Sequence, residues 1–298
     1  MRKRPRIFRL LNKELCMGYF ELFGDCYPHL EITGEMFGQL LDTDGCTFFE
    51  HRENGETAGF AAVKDNCLRL ICVSEKYRCH GIGSELLAQA EKHIGKGHGE
   101  VILGGYSSGL FIGAPVSKEN FDKRSFPFFE KRGYVFDDGC AEMELLLDDF
   151  SASALHLPVS ENVTFGYYDG SVERLKNAVA ETVPDWVQYF DGSEVFCGFC
   201  GGEIASFCIA EEWEPSVVSD GVRRTGAVGC VGTVPRFRRQ GIGLKMVALA
   251  AEELKRQGFG KCFIHQTGVY DWYAKIGCRT VLWELSGKKA LGNPFIMT

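Results

Sequence analysis

The hexapeptide RRQGIG, Arg238 to Gly243, follows the mostly apolar run GCVGTVPRF and immediately precedes LKMVALAAEELKRQG; a near copy, RCHGIG from Arg78 to Gly83, stands between LRLICVSEKY and SELLAQAEKHIG. A strand feeding a glycine-containing turn that opens a helix leaves the first helical N–H groups unpaired and turns the positive end of the helix dipole outward. Such a place suits phosphate. Gly81 and Gly83, like Gly241 and Gly243, carry no Cβ to keep a pyrophosphate off the backbone, and Arg78, or Arg238 with Arg239, adds positive charge. The two loops lie 160 residues apart in a chain of 298, which favours two domains, each large enough to bury its own core.

The segments around the loops repeat in the same order. In the first half, RIFRLL reads as a strand and NKELCMGYFELFGDCY as a helix; CTFFEHRENGETAGFAAVKDN reads as a hairpin turning at ENGE, and LRLICV is the strand before the loop. The helix Ser84 to Ile94 then carries Leu86, Leu87, Ala90 and Ile94 on one face and stops at Gly95. In the second half, VTFGYYDG is the strand, and a helix from Ser171 places Val172, Leu175, Val179 and Val183 at helical spacing before Pro184 ends it. EVFCGFCGGEIASFCIA is the matching hairpin and GAVGCVGTV the matching strand. The last helix turns Val247, Ala250, Ala251 and Leu254 inward and ends at Gly258 after Lys255 and Arg256. This order implies an internal duplication. DDFSASALHLPVSEN lacks periodicity, which gives an N-terminal domain 1–150, a linker 151–161 and a C-terminal domain 162–298.

Several function classes fall away. Neither loop has a glycine or alanine three residues after its second glycine, where Leu86 and Met246 stand, and neither ends in GK[ST]; dinucleotide and nucleoside-triphosphate loops both fail. A net charge of −7 with only short basic runs argues against nucleic-acid binding and otherwise reports mainly on solubility. No apolar run approaches the roughly 20 residues of a membrane span, and the basic start MRKRPRIFRL is not followed by the apolar core of a secretory signal, so a cytoplasmic location is expected. The 13 cysteines, scattered through apolar segments, read as reduced thiols rather than a disulfide framework. Cys197 and Cys200 in CGFC have metal or redox spacing, but no second pair follows, and no metal is expected.

The pattern (Arg or Gln)-x-x-Gly-x-(Gly or Ala), between a strand and a long helix and present twice, resembles that of the GNAT acetyltransferases, where it holds the pyrophosphate of acetyl-CoA. The resemblance covers nearly the whole chain. It implies an α/β (α+β) fold of two tandem domains, each a central, mostly antiparallel sheet flanked by helices and splayed at one parallel pair, where acyl-CoA binds. Carried onto this sequence, the acetyl-CoA site comprises Val231, Thr233, Arg238, Arg239, Gln240, Gly241, Ile242 and Gly243, and in the first copy Val73, Arg78, Cys79, His80, Gly81, Ile82 and Gly83.

The same resemblance separates the copies. The family often carries a tyrosine in a Y-x-K-x-G-(aromatic) setting near the thioester sulfur; YDWYAKIGC puts Tyr273 there, with Cys278 in place of the aromatic, while FFEKRGY puts Phe129 there. A hydroxyl can donate to the departing thiolate and a phenyl ring cannot. The C-terminal domain is therefore the expected catalyst and the N-terminal one a degenerate or regulatory partner. The interval from loop to this position is 48 residues in the first half and 32 in the second, so the first half holds an insertion, in which Tyr106 could also reach the site. The implied reaction is direct attack of a small-molecule primary amine on acetyl-CoA, with an oxyanion donor near Val231 to Thr233. The base is Glu211, Glu212 or Glu214, or His265 at the end of the fifth strand, or else a water-mediated relay, which is also common in the resembled family. PDWVQYFDG, with Asp185, Trp186 and Tyr189, offers aromatic walls and carboxylates for an amine on an apolar body. A non-catalytic acyl-CoA sensor, a peptide amine acceptor and a different acyl donor are the alternatives.

Overall fold

The computed structural model describes residues 13–41, 46–105 and 110–292; the expected strand RIFRLL and Tyr106 lie outside them. In the first half, α1 (Lys13–Cys26) and α2 (Gly34–Leu41) precede a hairpin of β1 (Thr47–Glu53) and β2 (Glu56–Lys64). That hairpin turns at Asn54 and Gly55, both with positive φ, as the Asn-Gly pair in ENGE demands. β3 (Cys67–Val73), α3 (Ile82–Ile94) and β4 (Glu100–Leu103) follow. The insertion forms β5 (Ala114–Val116) and α4 (Lys118–Asp122), then come α5 (Pro127–Glu130) and β6 (Val135–Leu146).

The second half repeats the series. β7 (Val163–Tyr167) leads to α6 (Val172–Thr182), whose first turn is capped by Ser171 Oγ accepting the Arg174 N–H. The hairpin of β8 (Val195–Cys200) and β9 (Glu203–Glu212) turns at Gly201 and Gly202, and β10 (Thr225–Thr233) feeds α7 (Ile242–Arg256). β11 (Lys261–Thr267), α8 (Tyr270–Ala274) and β12 (Arg279–Ala290) complete it.

The chain packs as two units: Met1–Cys140 with Leu282–Thr298, and Ala141–Val281. In the first, β1, β2 and β3 are antiparallel neighbours, β3 runs parallel to β4, and β4 pairs antiparallel with β12, Gly287 opposite Leu103. In the second, β7, β8, β9 and β10 are antiparallel, β10 runs parallel to β11, and β11 pairs antiparallel with β6, Lys261 opposite Leu146. β12 therefore holds in the first unit the place that β6 holds in the second. Each sequence half gives its last strand to the other's sheet, so the packed units partition the chain differently from the uninterrupted domains 1–150 and 162–298 that sequence order suggests.

Each unit has its own core. In the first, Leu86, Leu87, Ala90 and Ile94 of α3 pack on Ala61, Val63 and Leu68 of the sheet, the helical face read from the periodicity. In the second, Val247, Ala250, Ala251 and Leu254 of α7 are buried. Residues 151–161 belong to this second unit: Ala152 is buried and its N–H donates to the Glu252 carboxylate at 3.0 Å, while Val159 packs on Ile242 and Val163.

Candidate functional site

The two glycine loops adopt one conformation. β3 ends at Val73 and passes through a 3₁₀ turn, Glu75–Tyr77, to Cys79 (φ 64°) and Gly81 (φ 90°). β10 ends at Thr233 and passes through the turn Pro235–Phe237 to Arg239 (φ 62°) and Gly241 (φ 78°). Both arginines fold back on the strand end: Arg78 Nε donates to Val73 O at 3.1 Å and Arg238 Nε to Thr233 O at 2.9 Å. Gly81 and Gly241 are the left-handed caps of α3 and α7. The N–H groups of Ile82 and Gly83, and of Ile242 and Gly243, therefore have no residue four positions back within the helix to bond. This is the cradle that a pyrophosphate requires. The loops differ in what backs the cap. A Cβ on Gly81 would meet nothing within 4 Å, whereas one on Gly241 would lie 2.8 Å from the carbonyl oxygen of Pro158.

Beside each loop the parallel strands part. β10 and β11 stay in register only over Thr225–Ala227 and Lys261–Phe263. A register shift between Gly229 and Gly232, with Cys230 at φ 47°, then re-aims β10. Val231 and Thr233 lie at and beyond this bulge. In the first unit β3 and β4 pair at Cys67 and Leu68 with Ile102 and Leu103. Past them lies a pocket lined among others by Tyr27, Ile71, Gly104, Phe126 and Phe129.

Tyr273 and Phe129 occupy corresponding short helices, α8 and α5. The Tyr273 ring is buried edge-on to Trp272 at 4.8 Å, and among the described residues its hydroxyl makes no hydrogen bond. Burial, reinforced by the cysteines around it, Cys208 and Cys278 first among them, raises the phenol well above its usual range. It stays protonated at neutral pH and is available as a donor. Phe129 is equally buried, among Phe126, Phe128 and Tyr134, and offers no proton. Cys278, where an aromatic was expected, is a buried thiol pushed up to about 12 by burial.

The other sequence candidates separate. Glu212 sits opposite Gly226, at the paired end of β10 rather than where the strands part, and its carboxylate is exposed and bound to Arg224 at 3.1 Å. Glu211 accepts the Glu194 N–H at 3.3 Å, and Glu214 lies exposed beyond β9. Of the aromatic-acidic segment, now a 3₁₀ stretch Pro184–Phe190, Trp186 packs against the cluster of Leu175 and Val179, while Asp185 and Tyr189 face outward. Cys197 and Cys200 pack into different apolar clusters, so the CGFC thiols do not converge.

His265 does reach the opening. It follows Phe263, the last residue of β11 in register with β10, and its ring lies 5.4 Å from that of Phe263 and 5.6 Å from that of Trp213. Phe263 and His265 share a face of the sheet, and Cys262, a neighbour of Tyr273, leaves by the other. The imidazole Nδ1 lies 2.8 Å from Oε2 of Glu142, a residue sequence reasoning missed. Its signal was Glu142 and Glu144 alternating with Ala141, Met143 and Leu145, a pattern ordinarily read as a solvated strand face. Both glutamates are buried.

An Acetyltransferase (GNAT) domain profile matches residues 44–136, and an Acetyltransferase (GNAT) family profile matches residues 165–278. Among solved structures, the chain is similar to a GCN5-related glucosamine N-acetyltransferase region of a fungal multi-domain GH3 β-N-acetylglucosaminidase, with TM-score 0.65 and 20% identity over 94% of this chain; it spans 37% of that protein. A GCN5-related N-acetyltransferase from Sphaerobacter thermophilus gives TM-score 0.61 and 17% identity, covering 92% of both chains. A tandem GNAT protein from the clavulanic acid biosynthesis pathway gives 0.54 and 12%, over 94% of this chain and 96% of that one. Among curated proteins none matches the sequence.

Proposed function

Because the chain belongs to the GNAT acetyltransferases and carries two of their domains in tandem, we propose that it transfers the acetyl group of acetyl-CoA to a primary amine of a small molecule, with the chemistry in the second unit. The observation that carries this reading is the contrast between two alike phosphate cradles: at the corresponding place on the short helix that follows, the second has the buried, protonated Tyr273 and the first has Phe129. Gln240, Gly241, Ile242 and Gly243 would hold the pyrophosphate with Arg238 and Arg239 beside it, and backbone N–H groups near Val231 to Thr233 would face the developing oxyanion. Tyr273 would give its proton to the departing thiolate. His265, which stands at the opening, is a better base than Glu212, which is tied to Arg224. The duplicated repeats are 1–150 and 162–298, joined by 151–161.

The test is release of CoA thiol from acetyl-CoA with a panel of amines, amino sugars included, for the wild type and Tyr273→Phe. Calorimetric titration with acetyl-CoA gives the number of sites. Gly81→Asp, at a position with open space around it, places a negative charge in the first loop alone. Amine-dependent release that Tyr273→Phe lowers and Gly81→Asp spares supports the reading. Full CoA occupancy with no turnover on any amine would make the tandem a binding module instead.

A further inference from the structure

His265 and Glu142 meet at a second bulge. Along the β11–β6 ladder, Ile264 stands opposite Met143 and Thr267 opposite Ala141, so His265 and Gln266 together face the single residue Glu142. Gln266 takes up the extra length with φ 51°. The bulge turns the Gln266 N–H toward the Glu142 carboxylate, 3.3 Å from each oxygen, while His265 Nδ1 lies 2.8 Å from Oε2. A carboxylate whose side chain is 2% exposed needs donors. These two supply them, and an imidazole nitrogen can do so only as Nδ1–H. Nε2 is then the basic nitrogen of the neutral ring, on a side chain that remains 33% exposed.

We propose that Glu142 is the positioning residue of the second unit's acyl transfer: it fixes His265 as the Nδ1–H tautomer and so leaves Nε2 to take the proton of the attacking amine. This rests on the transferase reading above. The amine nitrogen forms the C–N bond, the thioester C–S bond breaks, the amine proton passes to His265 Nε2, and the thiolate takes the Tyr273 proton. Glu142 lies on β6, a strand of the first sequence half. The second repeat does not encode its own positioning residue.

Two measurements on the full chain test this. The ¹⁵N shifts of His265, read without substrate, are expected to report Nδ1–H in the wild type and in Glu142→Asp, and a tautomer mixture in Glu142→Gln. In turnover with saturating acetyl-CoA, His265→Gln should lower kcat by about 10²–10⁴-fold. Glu142→Gln should lower kcat by at least about tenfold with KM for acetyl-CoA unchanged, Glu142→Asp should restore part of it, and the double variant should be no worse than His265→Gln alone. An Nε2–H tautomer in the wild type, or additive losses in the double variant, overturns the proposal even when turnover is normal. A wild type that shows Nδ1–H but acetylates no amine overturns the transferase reading instead.

Discussion

Residues 141–281 should fold when expressed alone, and residues 162–298 should not, although the second fragment is the intact sequence repeat. The reason is β6. Without it, Met143 and Leu145, 1% and 5% exposed, are missing from the core of the second unit. At about 1.5–3 kcal/mol each, their loss costs about 3–6 kcal/mol. Lys261, 3% exposed, loses Glu144 at 3.4 Å while Asp220 at 3.0 Å stays, and breaking a buried charged contact adds about 1–3 kcal/mol. The fragment also loses Val159 from its contact with Ile242 and presents the unpaired edge of β11 to solvent. Together these approach the whole stability of a domain this size, about 5–15 kcal/mol. Trp186, Trp213 and Trp272 are present in both fragments, so urea unfolding followed by tryptophan fluorescence and far-UV circular dichroism compares them directly. A cooperative transition for 162–298 with the same midpoint as 141–281 would refute the reasoning.

Other outcomes follow from the two sites. Tyr273→Phe should lower kcat by about 10²-fold or more while shifting the urea midpoint little, since the hydroxyl makes no hydrogen bond among the described residues and the ring is retained. Gly81→Ala carries only the left-handed backbone penalty of about 1–2 kcal/mol, whereas Gly241→Ala adds the encounter with the Pro158 carbonyl and should destabilise more; urea midpoints of the two variants decide it. Cys26 is lowered from 9.0 to about 7 by a hydrogen bond with Cys72, against burial, and by the Arg78 guanidinium 3.8 Å away. Its thiolate form dominates above that pH, so alkylation by iodoacetamide should rise with a midpoint near 7, and Arg78→Gln should move the midpoint upward.

Most of what was legible in the sequence is written locally. The glycine loops announce themselves because αL caps and unpaired helix N–H groups depend on residues adjacent in the chain. The inward faces of α3 and α7 follow from a 3.6-residue period, and the hairpin at Asn54–Gly55 follows from a dipeptide that tolerates positive φ. Tyr273 and Phe129 could be compared for the same reason, since each sits at a fixed place after its own loop.

What tertiary structure alone decided is which strand completes each sheet. β6 and β12 are both 12-residue strands, and nothing in either sequence names β11 or β4 as its partner. Strand pairing is settled by contacts between residues more than a hundred positions apart, through burial and ladder hydrogen bonds that exist only once the units pack. Glu142 shows the consequence: read along the chain it is an exposed charge on a strand edge, and only the pairing of β6 with β11 buries it against His265. The chemistry of each loop was set by its own residues, and the partner of the histidine by a strand from the other half of the chain.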